Sequence, residues 1–242
     1  MQRKKPIIGI IGRPDTASDD DAVICVWEKT RKAIVQKGGI PVLVLPTQNL
    51  IYEELRPKDT PKLTDQEKED LKSVIDCCNG LLIPGGYKWY EYDTFIYEYA
   101  LEKGLPILGI CAGMQMLASI DNRMRDEIIK SNAKNNTAID HHQREQKYVH
   151  SVTIMKNTLL AKIVGQKQIQ VNSKHNYHVQ TTTDLLISAY SEDGLIEAIE
   201  HPNKEFLVGI QWHPETMLDY DESANKILDA FISACKSEAK RS

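Results

Sequence analysis

Apolar and polar positions alternate along this chain in two kinds of block. Short apolar runs recur, each bounded by glycine or proline or by a polar turn: Ile7 to Ile11, Ile40 to Leu45, Gly80 to Ile83, Ile107-Leu108 between Pro106 and Gly109, and Phe206 to Trp212. Runs with no polar face fit strands buried on both sides of a parallel sheet. Between them lie stretches with helical spacing. Ala22 to Lys37 reads as a helix closed by Gly38-Gly39, with Ser18 or an aspartate of the Asp15 to Asp21 loop as its cap. Thr64-Asp65-Gln66-Glu67 has the capping-box pattern and opens a helix to about Cys78. Tyr92 to Lys103 is a helix closed by Gly104, and Asp219 to Ala234 is the closing helix. Tyr148 to Met155 and Ile169 to Asn172 read as strands around a short helix, Leu159 to Ile163. Leu185 to Ala189 and Leu195 to Glu200 read as an antiparallel pair. The opening order of strand, helix, Gly-Gly and strand is that of a doubly wound sheet. The expectation is one α/β domain over residues 1–242, a three-layer arrangement of a mostly parallel central sheet with helices on both faces and a small antiparallel excursion.

One junction in this pattern carries chemistry. Pro106 to Met116 reads P-I-L-G-I-C-A-G-M-Q-M, a strand running directly into the helix formers Met114, Met116 and Leu117. The junction is G-x-C-x-G, the cysteine form of a nucleophile elbow. Such a corner is sterically tight and favours flanking residues without a Cβ, here Gly109 and Gly113. It also sets Cys111 at a helix N-terminus, where the dipole and free N–H groups favour a thiolate. A base is available near the C-terminus, in F-L-V-G-I-Q-W-H-P-E from Phe206 to Glu215. Pro214 biases His213 towards extended backbone, where residues two apart point the same way. Glu215 is then placed to orient the His213 ring, as the third member of a triad does. The order Cys111, His213, Glu215 disfavours the α/β-hydrolase fold, in which the acid precedes the histidine.

With these residues in view, the chain resembles the class I glutamine amidotransferase-like fold, a flavodoxin-like sheet. Within it, the gamma-glutamyl-gamma-aminobutyrate hydrolase group, peptidase family C26, is the branch it resembles. The matching pieces are Gly109 to Gln115, Trp212-His213-Pro214-Glu215, Pro84-Gly85-Gly86, Val171-Asn172-Ser173-Lys174-His175 (V-N-S-x-H) and Asp193 to Ala198 (D-G-x-x-E-A). The resemblance implies a Cys111, His213, Glu215 triad with an oxyanion hole from the N–H groups of Gly86 and Ala112. It implies substrate contacts from Gln115 and from the Asn172, Ser173 and His175 segment, with His175 in the pocket or supporting it. Two stretches depart from the pattern. Ala112 stands where many relatives have Arg or Leu, but only its backbone is needed. Tyr87-Lys88-Trp89-Tyr90 replaces the family's usual loop and reads equally as a loop with aromatic packing or, with Tyr87 touching substrate, as a wall of the substrate pocket.

The remaining features narrow the picture. The net charge of −4 over 242 residues gives no support for nucleic-acid binding. No apolar run approaches the ~20 residues of a membrane helix. The basic start, Met1 to Pro6, leads into a strand and not a signal sequence. The five cysteines, Cys25, Cys77, Cys78, Cys111 and Cys235, form no disulfide framework, so a reducing cytoplasm is expected. Neither Asp19-Asp20-Asp21 nor His141-His142 reads as a metal site. The first lacks the spacing of a calcium loop, and adjacent histidines point apart with no ligand set to complete them. Asp121 to Lys147 reads as a polar surface segment or lid, and His178 as structural. The expected activity is hydrolysis of a small γ-glutamyl amide through a Cys111 thioester, with no cofactor and no metal. The alternatives are a glutaminase subunit feeding a synthetase and a non-catalytic binding protein. A homodimer is the default oligomer.

Overall fold

The computed structural model describes residues 5–86, 88–121 and 138–240. Tyr87 and residues 122–137, the greater part of the polar segment before β8, therefore lie outside the described residues. The strands in chain order are β1 (Ile7–Ile11), β2 (Arg13–Thr16), β3 (Ala22–Cys25), β4 (Ile40–Val44), β5 (Gly80–Ile83), β6 (Ile107–Ile110), β7 (His142–Gln143), β8 (His150–Ile154), β9 (Gln168–Val171), β10 (Ser173–Lys174), β11 (Leu186–Ser191), β12 (Ile196–Glu200) and β13 (Leu207–Ile210). The helices are α1 (Glu28–Gln36), α2 (Asp65–Ile75), α3 (Glu91–Lys103), α4 (Ala112–Asp121), α5 (Leu159–Val164) and α6 (Glu222–Glu238).

Nine strands form one sheet in the order β4-β1-β5-β6-β13-β12-β11-β8-β9. From β4 to β13 the neighbours are parallel. From β13 to β9 they are antiparallel. The α/β class holds, with helices on both faces. The antiparallel part is larger than a small excursion: β12, β11, β8 and β9 continue the same sheet edge to edge. Side-chain alternation along each parallel strand explains why the strands are apolar throughout. Ile8 and Ile10, Leu82, Leu108 and Ile110, and Val208 and Ile210 face one core with α5 and α6. Ile11, Leu81 and Ile83, Ile107, and Leu207 face the other with α2, α3 and α4.

The first helix is shorter than its pattern predicts. Ala22–Cys25 pairs with Arg13–Thr16 as a separate antiparallel ribbon, and α1 begins only at Glu28, after Trp27. The β-branched Val23 and Ile24 explain the outcome, since a pleated half-buried ribbon suits them better than a helix. The Thr64 capping box forms, with Glu67 N–H on the Thr64 hydroxyl and the Glu67 carboxylate on the Thr64 N–H. The polar segment before β8 contains a short strand, β7, paired with β10 as a second small ribbon. None of the described helices is long and apolar enough to cross a membrane.

The sharpest local constraint is where β6 passes into α4. Cys111 has φ +53°, a left-handed conformation that costs an L-residue about 1–2 kcal/mol. A Cβ on Gly113 would lie 2.1 Å from the carbonyl oxygen of Ile83 in β5. One on Gly109 would lie 2.8 Å from Leu117 Cδ1. The elbow therefore needs glycine on both sides so that α4 can start flush against the sheet. Gly113→Ala is expected to cost about 3 kcal/mol as an overpacking substitution, seen as a fall in Tm of roughly 6–12 °C. An unchanged melting curve for that variant would contradict this account of the turn.

Candidate active site

Three loops at the carboxyl ends of parallel strands converge on one cavity, the usual ligand crevice of an open α/β sheet. The loop after β5 carries Gly85 and Gly86, the turn after β6 carries Cys111, and the turn after β13 carries His213 and Glu215. All five line a cavity of about 980 Å³. Cys111 is held by its own N–H on the Ile210 carbonyl, 2.7 Å, and is 8% exposed, at the cavity wall. Its sulfur lies near enough to the His213 ring to act on that ring's charge. His213 Nδ1 is 2.7 Å from Glu215 Oε1. The carboxylate fixes the tautomer that leaves Nε2 for the sulfur.

The route by which Glu215 reaches the ring differs from the expected one. His213, Pro214 and Glu215 do not run on as extended backbone. Pro214–Thr216 forms a 3-10 turn, and Pro214 fits its first position because its φ is preset. The turn curls the carboxylate back onto the imidazole.

Burial alone would push the His213 pKa down. The Glu215 carboxylate, together with the Cys111 sulfur, outweighs it and raises the pKa to about 10. His213 is thus an imidazolium at neutral pH, opposed to the cysteine sulfur and ready to donate a proton. The same shift makes His213 a source of stability that is full below about pH 6.5 and lost as pH rises through about 10.

The residues expected to touch substrate divide into groups. Gln115, in the first turns of α4, lines the cavity, and its Nε2 donates to the Tyr177 carbonyl at 2.8 Å. Gly86 lines the cavity. Ala112 is the first residue of α4, directly after Cys111. A Cβ on Gly85 would come 3.2 Å from the His213 ring and 3.5 Å from Cys111 Cβ, so this glycine lets the loop approach the catalytic pair. Asn172 is buried and turned away from the cavity. Its Oδ1 accepts from the His213 N–H at 2.8 Å, and its Nδ2 donates to the His213 carbonyl at 3.1 Å and to Thr216 Oγ1 at 2.8 Å. It positions the histidine and does not face the substrate cavity. Ser173 is also fully buried, beside His141 Nδ1 at 3.2 Å. His175 reaches the cavity wall, but its Nε2 faces inward, 3.4 Å from Glu197 Oε1.

Two buried residues important to the site escaped the sequence reading. Arg13, on β2, forms an ion pair with Asp93 of α3 and donates to the Pro84 carbonyl at 3.2 Å. Its side chain lies under Gly86, where a Cβ would come 3.2 Å from Arg13 Cδ. Asp93 also accepts from the Tyr90 N–H at 2.7 Å. The pair therefore braces the loop that flanks Cys111. Asp93 in the first turn of a helix looks like any exposed acid, so nothing in its spacing marks it.

Comparison with known proteins bears on the family and the fold. The Peptidase C26 family profile matches residues 89–215, just over half the chain and nearly all of the site. A glutamine amidotransferase-like protein of Rickettsia prowazekii (strain Madrid E) is 30% identical over 90% of this chain and 93% of its own length. The CTP synthase of Borreliella afzelii (strain PKo) is 30% identical over 72% of this chain, which matches only 38% of that enzyme. Among solved structures, a GMP synthase component from Thermoplasma acidophilum superposes with TM-score 0.65 at 16% identity, covering 98% of both chains. The glutaminase domain of Trypanosoma brucei CTPS with bound acivicin superposes with TM-score 0.62 at 18% identity, covering 98% of this chain and 94% of that one. The chain belongs to the peptidase C26 family of class I glutamine amidotransferase-like enzymes.

A pH profile reads the site's electrostatics. The alkaline limb of kcat/KM for the wild type is expected near pH 10, where His213 loses its proton. Glu215→Gln removes the largest upward influence and leaves burial to act, so its limb falls to much lower pH. A limb in the same place in both proteins would contradict the role given to Glu215.

Proposed function

We propose that the chain is a hydrolase of small γ-glutamyl amides whose amine half carries a negative charge. The Cys111 sulfur attacks the γ-carbonyl carbon. The carbonyl oxygen becomes an oxyanion, met by the N–H groups of Gly86 and Ala112, each worth ~10²–10³ in rate at such a site. The C–N bond breaks as His213 Nε2 gives its proton to the leaving amine. A γ-glutamyl thioester on Cys111 remains. Water then loses a proton to the now neutral His213 as it adds to the carbonyl. The C–S bond breaks, and glutamate departs. Glu215 holds the ring in register throughout, and Asn172 holds the backbone that carries the ring.

The observation that carries the amine assignment is the cavity itself. At about 980 Å³ it is much larger than a glutamine side chain needs, and its lining carries more cations, Lys29, Lys58, Lys62, Lys88, Arg144 and Lys174, than acids, Glu28, Glu91 and Glu215. A pocket lined by an excess of cations favours a carboxylate-bearing amine. A second reading, a glutaminase that supplies ammonia to a synthetase, draws on the likeness to CTP synthases and uses the same thioester chemistry on glutamine.

Glutamate release from a panel of γ-glutamyl amides separates the two. The hydrolase reading expects γ-glutamyl-GABA to be turned over at least tenfold faster, by kcat/KM, than glutamine or an uncharged γ-glutamyl alkylamide. Lys174→Ala should raise KM for the charged substrate alone, and Cys111→Ala should abolish every activity. Preference for glutamine, or equal rates across the panel, would move the assignment to the ammonia-supplying reading.

A further inference from the structure

Several motif residues are left over by the triad: His175 of V-N-S-x-H, Asp193 and Glu197 of D-G-x-x-E-A, and the His141-His142 pair. The structure gathers most of them at one buried point. His141, just before β7, lies beside His150 of β8, His175 after β10, and Glu197 of β12. The four potential ligand atoms all lie within 4.8 Å of one another. His142 diverges to the cavity wall, as expected for adjacent residues. The expectation that no ligand set completes a site around His141 fails because its partners come from three distant elements that no local spacing reveals.

Hydrogen bonding sets the proton on each ring. His150 Nδ1 is 3.1 Å from the Ser151 carbonyl, and His175 Nδ1 is 2.9 Å from the Tyr177 carbonyl. A carbonyl only accepts, so these Nδ1 atoms carry hydrogens and the Nε2 atoms present lone pairs. His141 is the mirror case. Its Nε2 lies 3.1 and 3.2 Å from the two Asp193 oxygens and donates there, while Nδ1 faces inward near the Ser173 hydroxyl.

Three imidazole nitrogens thus surround one carboxylate oxygen, two of them with unpartnered lone pairs. Glu197 Oε1 is 3.6 Å from His141 Nδ1, 3.7 Å from His150 Nε2 and 3.4 Å from His175 Nε2. These gaps are too long for direct hydrogen bonds. His150 Nε2, His175 Nε2 and both Glu197 oxygens are buried with no hydrogen-bond partner. Acceptors facing acceptors in a dry interior are strongly unfavourable until a proton or a metal cation lies between them. Metal–ligand bonds of ~2.0–2.1 Å in a tetrahedron give ligand–ligand edges of about 3.3–3.4 Å; the Glu197 spacings of 3.4–3.7 Å approach them, and the four atoms, all within 4.8 Å of one another, would draw in around an ion. The outer contacts, Asp193 on one histidine and carbonyls on the other two, are those that orient metal-bound imidazoles.

We propose that His141, His150, His175 and Glu197 form a four-coordinate zinc site that is structural and distinct from the catalytic triad. Nitrogen and oxygen donors in a closed tetrahedral set suit zinc. Its place in the fold gives the ion a task. The β7–β10 ribbon has no ladder to the main sheet, yet it carries Lys174 and His142 into the cavity wall and follows Asn172, which grips His213. The ion would tie this ribbon to β8 and β12.

The test is metal content and metal spectroscopy on the untagged full chain. Protein prepared without chelator is expected to hold about one zinc per chain by plasma mass spectrometry, and stripping it should lower Tm reversibly. Cobalt(II) substitution should give the intense visible band of four-coordinate cobalt, with no sulfur-to-cobalt charge-transfer band. Cys111→Ala should bind as wild type does, whereas Glu197→Gln and His150→Ala should lose the ion. The cobalt spectrum of the wild type decides the matter even if those two variants fold poorly. Metal-free protein that takes up neither zinc nor cobalt would overturn the proposal. So would binding abolished by Cys111→Ala, or a cobalt spectrum showing a thiolate ligand.

Discussion

The active face depends on one residue held where L-residues rarely sit. Cys111 adopts φ +53° at the corner between β6 and α4. Within the turn, the Cys111 carbonyl accepts from the Gln115 N–H at 3.1 Å, which starts α4 but does not set the angle. The conformation persists because the neighbouring strands over-determine it: Ile210 accepts the Cys111 N–H, and the bare face of Gly113 meets the Ile83 carbonyl. The packing of three parallel strands thus pays for the angle that aims the sulfur into the cavity. Strand packing and nucleophile placement are therefore a single constraint, and a perturbation of either reaches the other.

Around that corner the two halves of the sheet divide the work. The parallel half supplies Cys111, the Gly85-Gly86 loop and the His213 turn, each at a strand's carboxyl end. Arg13 and Asp93 hold the glycine loop from below through the Pro84 carbonyl and the Tyr90 N–H. The antiparallel half supplies support. Asn172, at the end of β9, grips the His213 peptide on both sides, and the β7–β10 ribbon lines the cavity with Lys174. The charge on His213 is buried, and the Glu215 carboxylate 2.7 Å from the ring offsets the cost of that burial.

Much of this was legible in the residues because the signals were local. The apolar runs marked the parallel strands, the G-x-C-x-G corner marked the elbow, and His213-Pro214-Glu215 marked its partner. Where the reading missed, the cause was non-local or a competition between local preferences. Ala22–Cys25 has helical spacing but β-branched residues, and the ribbon with Arg13–Thr16 won. Asn172 and Ser173 belong to a segment that passes the site, yet their side chains turn into the fold. Asp93 and the set of His141, His150, His175 and Glu197 are dispersed in the chain and converge only through topology. The spacing of Glu215 was informative even though a 3-10 turn, not an extended strand, brings it to the ring.

The central claim is that turnover passes through a covalent γ-glutamyl group on Cys111. The most direct measurement is acid quenching of the protein during turnover of a γ-glutamyl amide, followed by peptide mass spectrometry. The account predicts the added mass of one γ-glutamyl group on the peptide carrying Cys111, and its accumulation when His213 is replaced by a residue that cannot activate water but the thiol is kept reactive at alkaline pH. Glutamate release with no adduct at Cys111 under either condition, or an adduct on another side chain, would contradict it.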